Sequence, residues 1–190
     1  MKFLTKKDDS KILKEGLVYQ ENRAENNRRI RSLLVEEQHN FCAYTEKYFA
    51  ELDSVEVEHL DASKKYDDDY YNYYAVIRAA NERKIAKDNE YKGASFLENL
   101  FFQDAGQFNN RVRYIDGEYE EIDENDNEAA DLIDFLSFNH PLLFEHRRNH
   151  INRLKNIFLT GKRNQRQQLE YFRKHKEELS FITAIEAELD

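Results

Sequence analysis

Aromatic side chains supply an unusually large share of the apolar surface of this chain. Its 190 residues include 13 Phe and 12 Tyr, although 35% of the residues are charged and the mean hydropathy is −0.93. A chain this polar stays disordered unless it has large groups to bury, and aromatic rings are the largest apolar groups that a core can take up. We therefore expect a folded protein with a core rich in Phe and Tyr.

Length and the lack of breaks favour one compact unit. A mass of 22.9 kDa suits one domain with a helical extension, and the sequence contains no internal repeat or flexible linker. Along the chain we distinguish an N-terminal segment (1–21), a core with a preceding helix (22–100) and a C-terminal extension (101–190). No apolar run approaches the roughly 20 residues of a membrane helix. The beginning of the chain also lacks the apolar stretch of a signal peptide, so we expect a cytoplasmic protein with no membrane partner.

The chain has one cysteine, Cys42. A single thiol can form neither an internal disulfide nor a zinc site made of several cysteines, so nothing indicates an oxidising compartment. No histidine accompanies it at the spacing known from thiol proteases. We interpret Cys42 as a buried residue and not as a nucleophile.

Charge is strongly segregated along the sequence, within a net charge of −9 that argues against nonspecific coating of nucleic acid. Residues 116–134 carry ten acids and no Lys or Arg, whereas residues 145–176 carry ten Lys and Arg and two Glu. A second basic cluster near the start comprises Arg23, Arg28, Arg29 and Arg31. The C-terminal basic region either lines a nucleic-acid channel or docks a partner protein, and we interpret the acidic run as solvated.

The first half of the sequence predicts the order helix, strand, loop, strand, helix. Residues 22–39 contain no Gly or Pro and place apolar side chains at helical spacing. Residues 55–60 alternate between apolar and polar side chains, which is typical of a short strand that ends near His59. The tyrosines at 70–74 favour a second strand, and residues 75–87 are rich in helix formers.

The second half predicts mainly helices. The residues between 96 and 102 are apolar and predict a short turn, and 112–119 with Asp116-Gly117 at its centre predicts a hairpin. Two helices are expected at 128–138 and 141–160, divided by Pro141 and ended by Gly161. A last helix over about 164–189 closes the chain.

The residues suited to chemistry lie around the first predicted strand. Glu58 and His59 end it, Asn72 follows thirteen residues after the histidine, Asn81 nine residues later, and Lys84 completes an Asn-x-x-Lys sequence. This spacing resembles the HNH endonuclease family. In that family a strand ends in an acid-His or His-His pair, a second strand begins near an asparagine, and a helix supplies a His or Asn nine residues on. The resemblance implies an α+β protein with a ββα-metal core embedded in a mainly α-helical chain.

Two flanking segments resemble one bacterial branch of that family. Residues 37–46 are similar to its Gln-x-x-x-Cys-x-Tyr-Cys-Glu segment, and residues 136–143 with Arg147 are similar to its C-terminal segment. This branch includes the HNH subunit, often called PtuB, of Septu-type antiphage systems. The resemblance covers about residues 22–158 and is strongest over 41–84. It implies an antiphage effector that works with an ATPase partner.

The resemblance also assigns roles to individual residues. His59 would be the general base, because a neutral imidazole accepts a proton near pH 7, and Asn72 would orient it by hydrogen bonding. Glu58 and Asn81 would hold one divalent cation, Mg²⁺ or Mn²⁺, through oxygen atoms that suit such hard ions. The expected nucleic-acid contacts are Arg78, Arg83 and Lys84.

The sequence departs from the family pattern at three kinds of position. Many relatives hold a structural zinc with two Cys-x-x-Cys pairs, which here would fall at Cys42 with Thr45 and at Ile77 with Ala80. Only Cys42 remains of these four ligands, so we expect no structural zinc. The usual strand acid is Asp where this chain has Glu58, and a common proline three residues beyond the histidine is Ala62.

The sequence leaves several alternatives open. DNA and RNA share the phosphates on which a metal and a base act, and DNA is the favoured substrate. A chain that lost its metal together with the zinc cysteines would be an inactive interaction subunit derived from an HNH protein. Asn72 could simply cap a turn and Asn81 could be a solvated helix residue. His146 and His150 share a helical face at i, i+4, but we interpret that face as solvated or phosphate-facing.

Overall fold

The computed structural model describes residues 1–65, 67, 69–162 and 164–189. The helices are α1 (Lys11–Lys14), α2 (Ala24–Glu37), α3 (Arg78–Ile85), α4 (Ser95–Asn99), α5 (Ala105–Arg111), α6 (Asn127–Phe135), α7 (Pro141–Thr160), α8 (Gln165–Lys174) and α9 (Ile182–Leu189). The strands are β1 (Val55–His59), β2 (Tyr73–Ile77), β3 (Val112–Ile115) and β4 (Glu118–Glu121), paired as two small antiparallel sheets. The fold is therefore mixed and mainly helical, which is compatible with the predicted α+β class.

Helix α2 confirms the helix predicted over 22–39. Its apolar stripe, formed by Ile30, Leu33 and Leu34, is at most 1% exposed and packs against side chains of β2. Beyond its end, the Gln38 side chain donates to the carbonyl oxygen of Ala75 and accepts from the amide of Ala75, both at 2.8 Å. This pair of hydrogen bonds fixes the end of α2 beside β2, and the opposite face of α2 is exposed to solvent.

The predicted order strand, loop, strand, helix is confirmed, but the second strand lies further along the chain than expected. Residues 70–72 form a turn whose start is capped by Asp69, which accepts from the amide of Tyr71 at 2.9 Å. Strand β2 pairs antiparallel with β1, with His59 opposite Tyr73, and it extends to Ile77. The predicted helix at 75–87 therefore begins only at Arg78, because the three residues before it belong to the sheet.

The hairpin predicted at 112–119 and the helix at 141–160 are confirmed, and the helix predicted at 128–138 is observed as α6. The apolar stretch at 96–102, predicted as a turn, forms the short helix α4 and a 3-10 turn. Gly117 at the tip of the hairpin has φ +101°, and a Cβ atom there would overlap the ring of Phe144 on α7. The missing side chain lets α7 lie directly against the hairpin.

The single last helix predicted over about 164–189 is wrong. Helix α8 ends at Lys174 and α9 begins only at Ile182, with Phe181 between them at φ +63°. This break turns Phe181 inward, where it is 4% exposed and donates its amide to the carbonyl oxygen of Glu46 at 3.0 Å. Core packing therefore overrides local helix preference here. Arg163, counted in the basic region, lies outside the described residues.

A buried carboxylate joins distant parts of the chain. Glu46 is fully buried and accepts hydrogen bonds from the amide of Lys2 at 2.9 Å, and from the amide and hydroxyl of Thr183 at 3.0 and 2.8 Å. The Tyr119 hydroxyl approaches it at 3.4 Å. Because an isolated buried charge is very costly, these donors are what make the position tolerable. They tie the first residues and α9 to the middle of the chain.

The predicted aromatic core is confirmed. Fully buried aromatic side chains include Tyr44, Tyr73, Tyr74, Phe96, Phe102, Phe108, Phe135 and Phe138. Arg147, which is 1% exposed, donates to the carbonyl oxygens of Phe138 at 2.7 Å and of Gly117 at 2.9 Å, so it is a structural residue that joins α7 to the hairpin. Within the described part of the chain, none of the helices combines the length and the apolar character that crossing a bilayer requires.

Candidate active site

An open cleft of about 660 Å³ lies over β1, with residues of α2 on one side and of α3 on the other. Its polar and charged lining comprises Tyr19, Asn27, Arg28, Arg31, Ser54, Glu56, Glu58, His59, Lys65, Arg78, Asn81 and Asp88. The structure thus brings together four residues that the sequence analysis selected, namely Glu58, His59, Arg78 and Asn81. The other three, Asn72, Arg83 and Lys84, do not line it.

His59 ends β1 and is 6% exposed. Its ring makes T-shaped contacts with the rings of Tyr19 and Tyr73, each with a centroid distance of 5.0 Å. Its Nε2 atom is buried and has no hydrogen-bond partner among the described residues. Burial lowers the pKa of His59 to about 4, and the positive charges of Lys65 and Lys84 act in the same direction. The imidazole is therefore neutral at physiological pH, and in this state of the cleft it is a weaker base than a free imidazole.

Asn72 acts on the backbone and not on the histidine ring. Its side-chain oxygen accepts from the amide of Asp61 at 2.8 Å, and its side-chain nitrogen donates to the carbonyl oxygen of Asp61 at 3.0 Å. The expectation that Asn72 orients His59 by a direct hydrogen bond is thus corrected. Asn72 holds the turn just after His59, and the two tyrosines hold the ring.

Asn81 is the second residue in the cleft with an unused polar atom. It is 6% exposed, its side-chain nitrogen donates to Glu56 at 2.9 Å, and its oxygen Oδ1 has no partner among the described residues. Buried polar atoms are nearly always hydrogen-bonded, so an orphan acceptor needs an explanation. A cation or a water molecule in the cleft would supply one.

Glu58 is 8% exposed and its carboxylate is tied to a lysine. Lys84 Nζ donates to Glu58 Oε1 at 2.8 Å. Burial raises the pKa of the Glu58 carboxyl above its usual range, while Lys84 opposes that rise and Asn81 adds a smaller effect in the same direction as Lys84. Glu58 and Asn81 therefore share one end of the cleft.

Lys84 is not a nucleic-acid contact in this structure, which corrects its predicted role. Its side chain is fully buried, and its Nζ atom contacts Glu58 at 2.8 Å, the carbonyl oxygen of His59 at 2.7 Å and Asp88 at 2.8 Å. An ammonium group has three hydrogens, so these three acceptors leave none for a phosphate.

The two predicted arginine contacts differ in position. Arg78 is exposed in the cleft and forms an ion pair with Glu56 at 2.6 Å. Arg83 lines a separate cavity together with His140 and Asn139. Arg83 therefore does not line the cleft over His59, and its contact with nucleic acid stays a prediction.

Arg28 and Arg31 form a basic wall of the cleft on α2, whereas sequence analysis noted them as part of a basic cluster but gave them no role. Both are exposed, and neither forms an ion pair with any residue that the structure describes. Arg29, between them, is instead paired with Glu15 through two contacts of 2.6 and 3.1 Å. The signal in the sequence was the i, i+3 spacing on the face of α2 opposite its apolar stripe. None of the described residues from 145 to 176 lines the cleft.

The four positions that correspond in sequence to possible zinc ligands, at 42, 45, 77 and 80, contain one cysteine. Cys42 is fully buried, and its Sγ accepts from the amide of Ile77 at 3.4 Å. Burial raises the pKa of the Cys42 thiol, with nearby hydrogen-bond donors including Thr45 acting against the rise. Ala80 is 5% exposed. Packing of Cys42 against the junction of β2 and α3 thus supports the sheet beneath the cleft.

The donor atoms in the cleft suit a hard divalent cation. The proposed ligand atoms are the carboxylate of Glu58 and the orphan amide oxygen of Asn81, and such oxygen donors suit Mg²⁺ or Mn²⁺. The other carboxylates of the cleft, Glu56 and Asp88, are ion-paired with Arg78 and Lys84. In the described ranges, no group of three or more His, Cys, Asp or Glu side chains lies together as a metal cluster. The fit therefore depends on the orphan Oδ1 of Asn81 beside Glu58.

Comparison with known proteins adds no family to these observations. No protein-family model, no characterised protein and no solved structure matches the chain.

Proposed function

We propose that this protein is a divalent-metal-dependent endonuclease of the HNH kind, with DNA favoured over RNA as its substrate. The observation that carries the proposal is the pair of buried, unpartnered atoms, His59 Nε2 and Asn81 Oδ1, on side chains that line one cleft. Hydrolysis of a phosphodiester needs a base for water and a way to hold the phosphate. This cleft offers both.

Each side chain has a defined task in the proposed reaction. His59 accepts the proton of the attacking water, which its neutral state allows. Glu58 and Asn81 are the residues that would hold Mg²⁺ or Mn²⁺. A bound divalent ion supplies positive charge to the phosphate and to the departing oxygen. Tyr19 and Tyr73 fix the ring of His59 by T-shaped contacts.

The charge pattern of the cleft explains how an acidic protein could bind a polyanion. The net charge is −9, yet one wall carries the unpaired guanidinium groups of Arg28 and Arg31, and Arg78 lies opposite on α3. Arginine suits phosphate because its planar group donates two parallel hydrogen bonds. We propose these three arginines as the contacts with the substrate backbone.

The test is cleavage of supercoiled plasmid DNA and of total tRNA by purified protein with Mg²⁺ or Mn²⁺. We expect wild type to cleave only with metal, His59→Ala to be inactive, and the matched variant His146→Ala, which changes an exposed histidine of α7, to retain activity. Cleavage that survives in His59→Ala would refute the proposed base. The substrate that disappears identifies the preferred nucleic acid.

The inactive interaction subunit is the competing proposal, and one observation favours it. Glu58 is already neutralised by Lys84 in this structure, so a cation must compete with a lysine for the carboxylate. Thermal unfolding with added Mn²⁺ separates the two proposals, since a ligand that binds only the folded state raises the melting temperature. We expect a rise that Asn81→Ala abolishes. No rise in wild type would favour the inactive subunit.

The role in antiphage defence depends on the similarity of segments 37–46 and 136–143 to the Septu-type branch. On that basis we propose a cytoplasmic effector whose activity is governed by an ATPase partner. Purification of the protein at native level from its host should co-purify an ATP-binding protein in a fixed ratio. A protein that purifies alone under these conditions would contradict this part of the proposal.

A further inference from the structure

Lys84 lies between two carboxylates at the end of the cleft. Its fully buried Nζ contacts Glu58 Oε1 and Asp88 Oδ1, each at 2.8 Å. Asp88 follows α3 by one turn, at i+4 from Lys84, and its amide donates to the carbonyl oxygen of Ile85 at 3.2 Å. A single buried ammonium is therefore shared by two acids whose positions are fixed by the sheet and by the end of a helix.

The two acids are not equivalent. Glu58 lies on β1 beside Asn81, whose oxygen has no partner, and it is the proposed cation ligand. Asp88 also lines the cleft, but it further borders a second, smaller cavity of about 210 Å³ on the side of Leu60 and Leu97. Glu58 interacts with the side chain of Asn81, whereas the described side-chain contact of Asp88 is with Lys84.

This arrangement sets an electrostatic condition for cation binding. A divalent ion at Glu58 would lie within a few ångströms of the Lys84 ammonium, and like charges at that distance repel strongly in a partly buried site. The repulsion is tolerable only if another acid neutralises the lysine. Asp88 is the acid in contact with Lys84 that can do so when Glu58 turns to the ion.

We propose that Asp88 is a positioning residue of the cation site, which holds Lys84 so that Glu58 can bind a divalent ion. The inference rests on the proposed metal-dependent function and extends it to a residue that the motif does not include. Asp88 touches neither the proposed ion nor the substrate. It acts through Lys84, by neutralising the charge that would otherwise exclude the ion.

The test measures Mn²⁺ binding directly, as the loss of free Mn²⁺ from the electron paramagnetic resonance spectrum. We expect Asp88→Asn to weaken the affinity about tenfold, since the neutral side chain leaves Lys84 uncompensated near the ion. Asp88→Glu keeps the charge and should bind close to wild type. The matched control is Glu82→Gln, which removes the same charge from an exposed position on α3 that does not contact Lys84. Urea unfolding of every variant confirms that the measured protein is folded.

The outcomes separate this inference from the proposed function. Saturable Mn²⁺ binding by wild type with undiminished affinity in Asp88→Asn would overturn the role of Asp88 and leave the cation site intact. Equal weakening in Asp88→Asn and Glu82→Gln would also overturn it, because the effect would then be general charge. Absence of saturable binding in wild type would overturn both proposals. Weakening in Asp88→Asn alone, with recovery in Asp88→Glu, supports the inference.

Discussion

The basic wall of the cleft gives the sharpest quantitative prediction. Arg28 and Arg31 line the cleft and have no ion pair with described residues, so each can neutralise one phosphate. Each such contact contributes about 0.9 to the slope of log Kobs against log salt for duplex DNA, and about 0.7 for a single strand. The double variant Arg28→Gln, Arg31→Gln should therefore lower the slope by about 1.8 on duplex DNA.

The assay is fluorescence anisotropy of a labelled duplex, in EDTA so that no cleavage occurs, over a series of salt concentrations. For a fourfold increase in salt, wild type should lose about twelvefold more affinity than the double variant. The matched control is Arg29→Gln, on the same helix, because Arg29 is held by Glu15 and should change the slope little. A double variant with the wild-type slope would refute the basic wall. An equal decrease of the slope in Arg29→Gln would also refute it.

Three further predictions concern stability in urea unfolding. Because His59 is buried and neutral, with its pKa lowered to about 4, the unfolded chain gains a proton first as the pH falls from 6.5 towards 4. Over that range the free energy of unfolding of wild type should fall by about 2 kcal/mol more than that of His59→Gln. Parallel pH profiles of the two proteins would contradict the lowered pKa of His59. Lys84→Met should lower the free energy of unfolding by about 3–5 kcal/mol, because it leaves two acids without their counter-charge. A fall of less than about 1 kcal/mol would show that these ion pairs contribute little to stability. Gly117→Ala should lower the free energy of unfolding by about 2 kcal/mol or more, because of the φ of +101° and the overlap with Phe144. Gly16→Ala is the control, and it should cost less because the space around Gly16 is open. Equal losses in the two variants would contradict the packing argument.

Local patterns predicted those elements whose residues carry their own structural signal. Helix α2 was predicted because its apolar stripe recurs at helical spacing, and β1 because its side chains alternate. The hairpin was predicted from Asp116-Gly117, a pair that accepts positive φ; Asp116 and Gly117 have φ +50° and +101°. In each case the deciding information lies within a few neighbouring residues.

The prediction misplaced the bounds of elements whose conformation depends on contacts between distant residues. Residues 75–77 were grouped with the helix formers that follow them, although Val76 and Ile77 are β-branched, and pairing with β1 places all three in β2. The break between α8 and α9 exists because Phe181 enters the core and bonds to Glu46. The contact of Phe181 with Glu46 leaves no local trace in the sequence.

The same distinction applies to the cleft. The resemblance in sequence selected Glu58, His59 and Asn81, and all three line one cavity in the structure. Spacing could not reveal that Lys84 turns inward, because its partner Glu58 is 26 residues away. Nor could it reveal which face of α2 borders the cleft. Residues such as Arg28 and Arg31, whose place in the cleft depends on how α2 packs, are therefore the hardest to find from sequence.

The buried Glu46 has a consequence for how the chain can be shortened. Its two donors from Thr183 lie 137 residues away in sequence. A chain truncated before α9 would keep every residue of the cleft but would leave this carboxylate without two of its four donors, which is costly in an apolar interior. We therefore expect a chain cut near residue 175 to be less stable than the full chain, although every residue that lines the cleft lies before the cut.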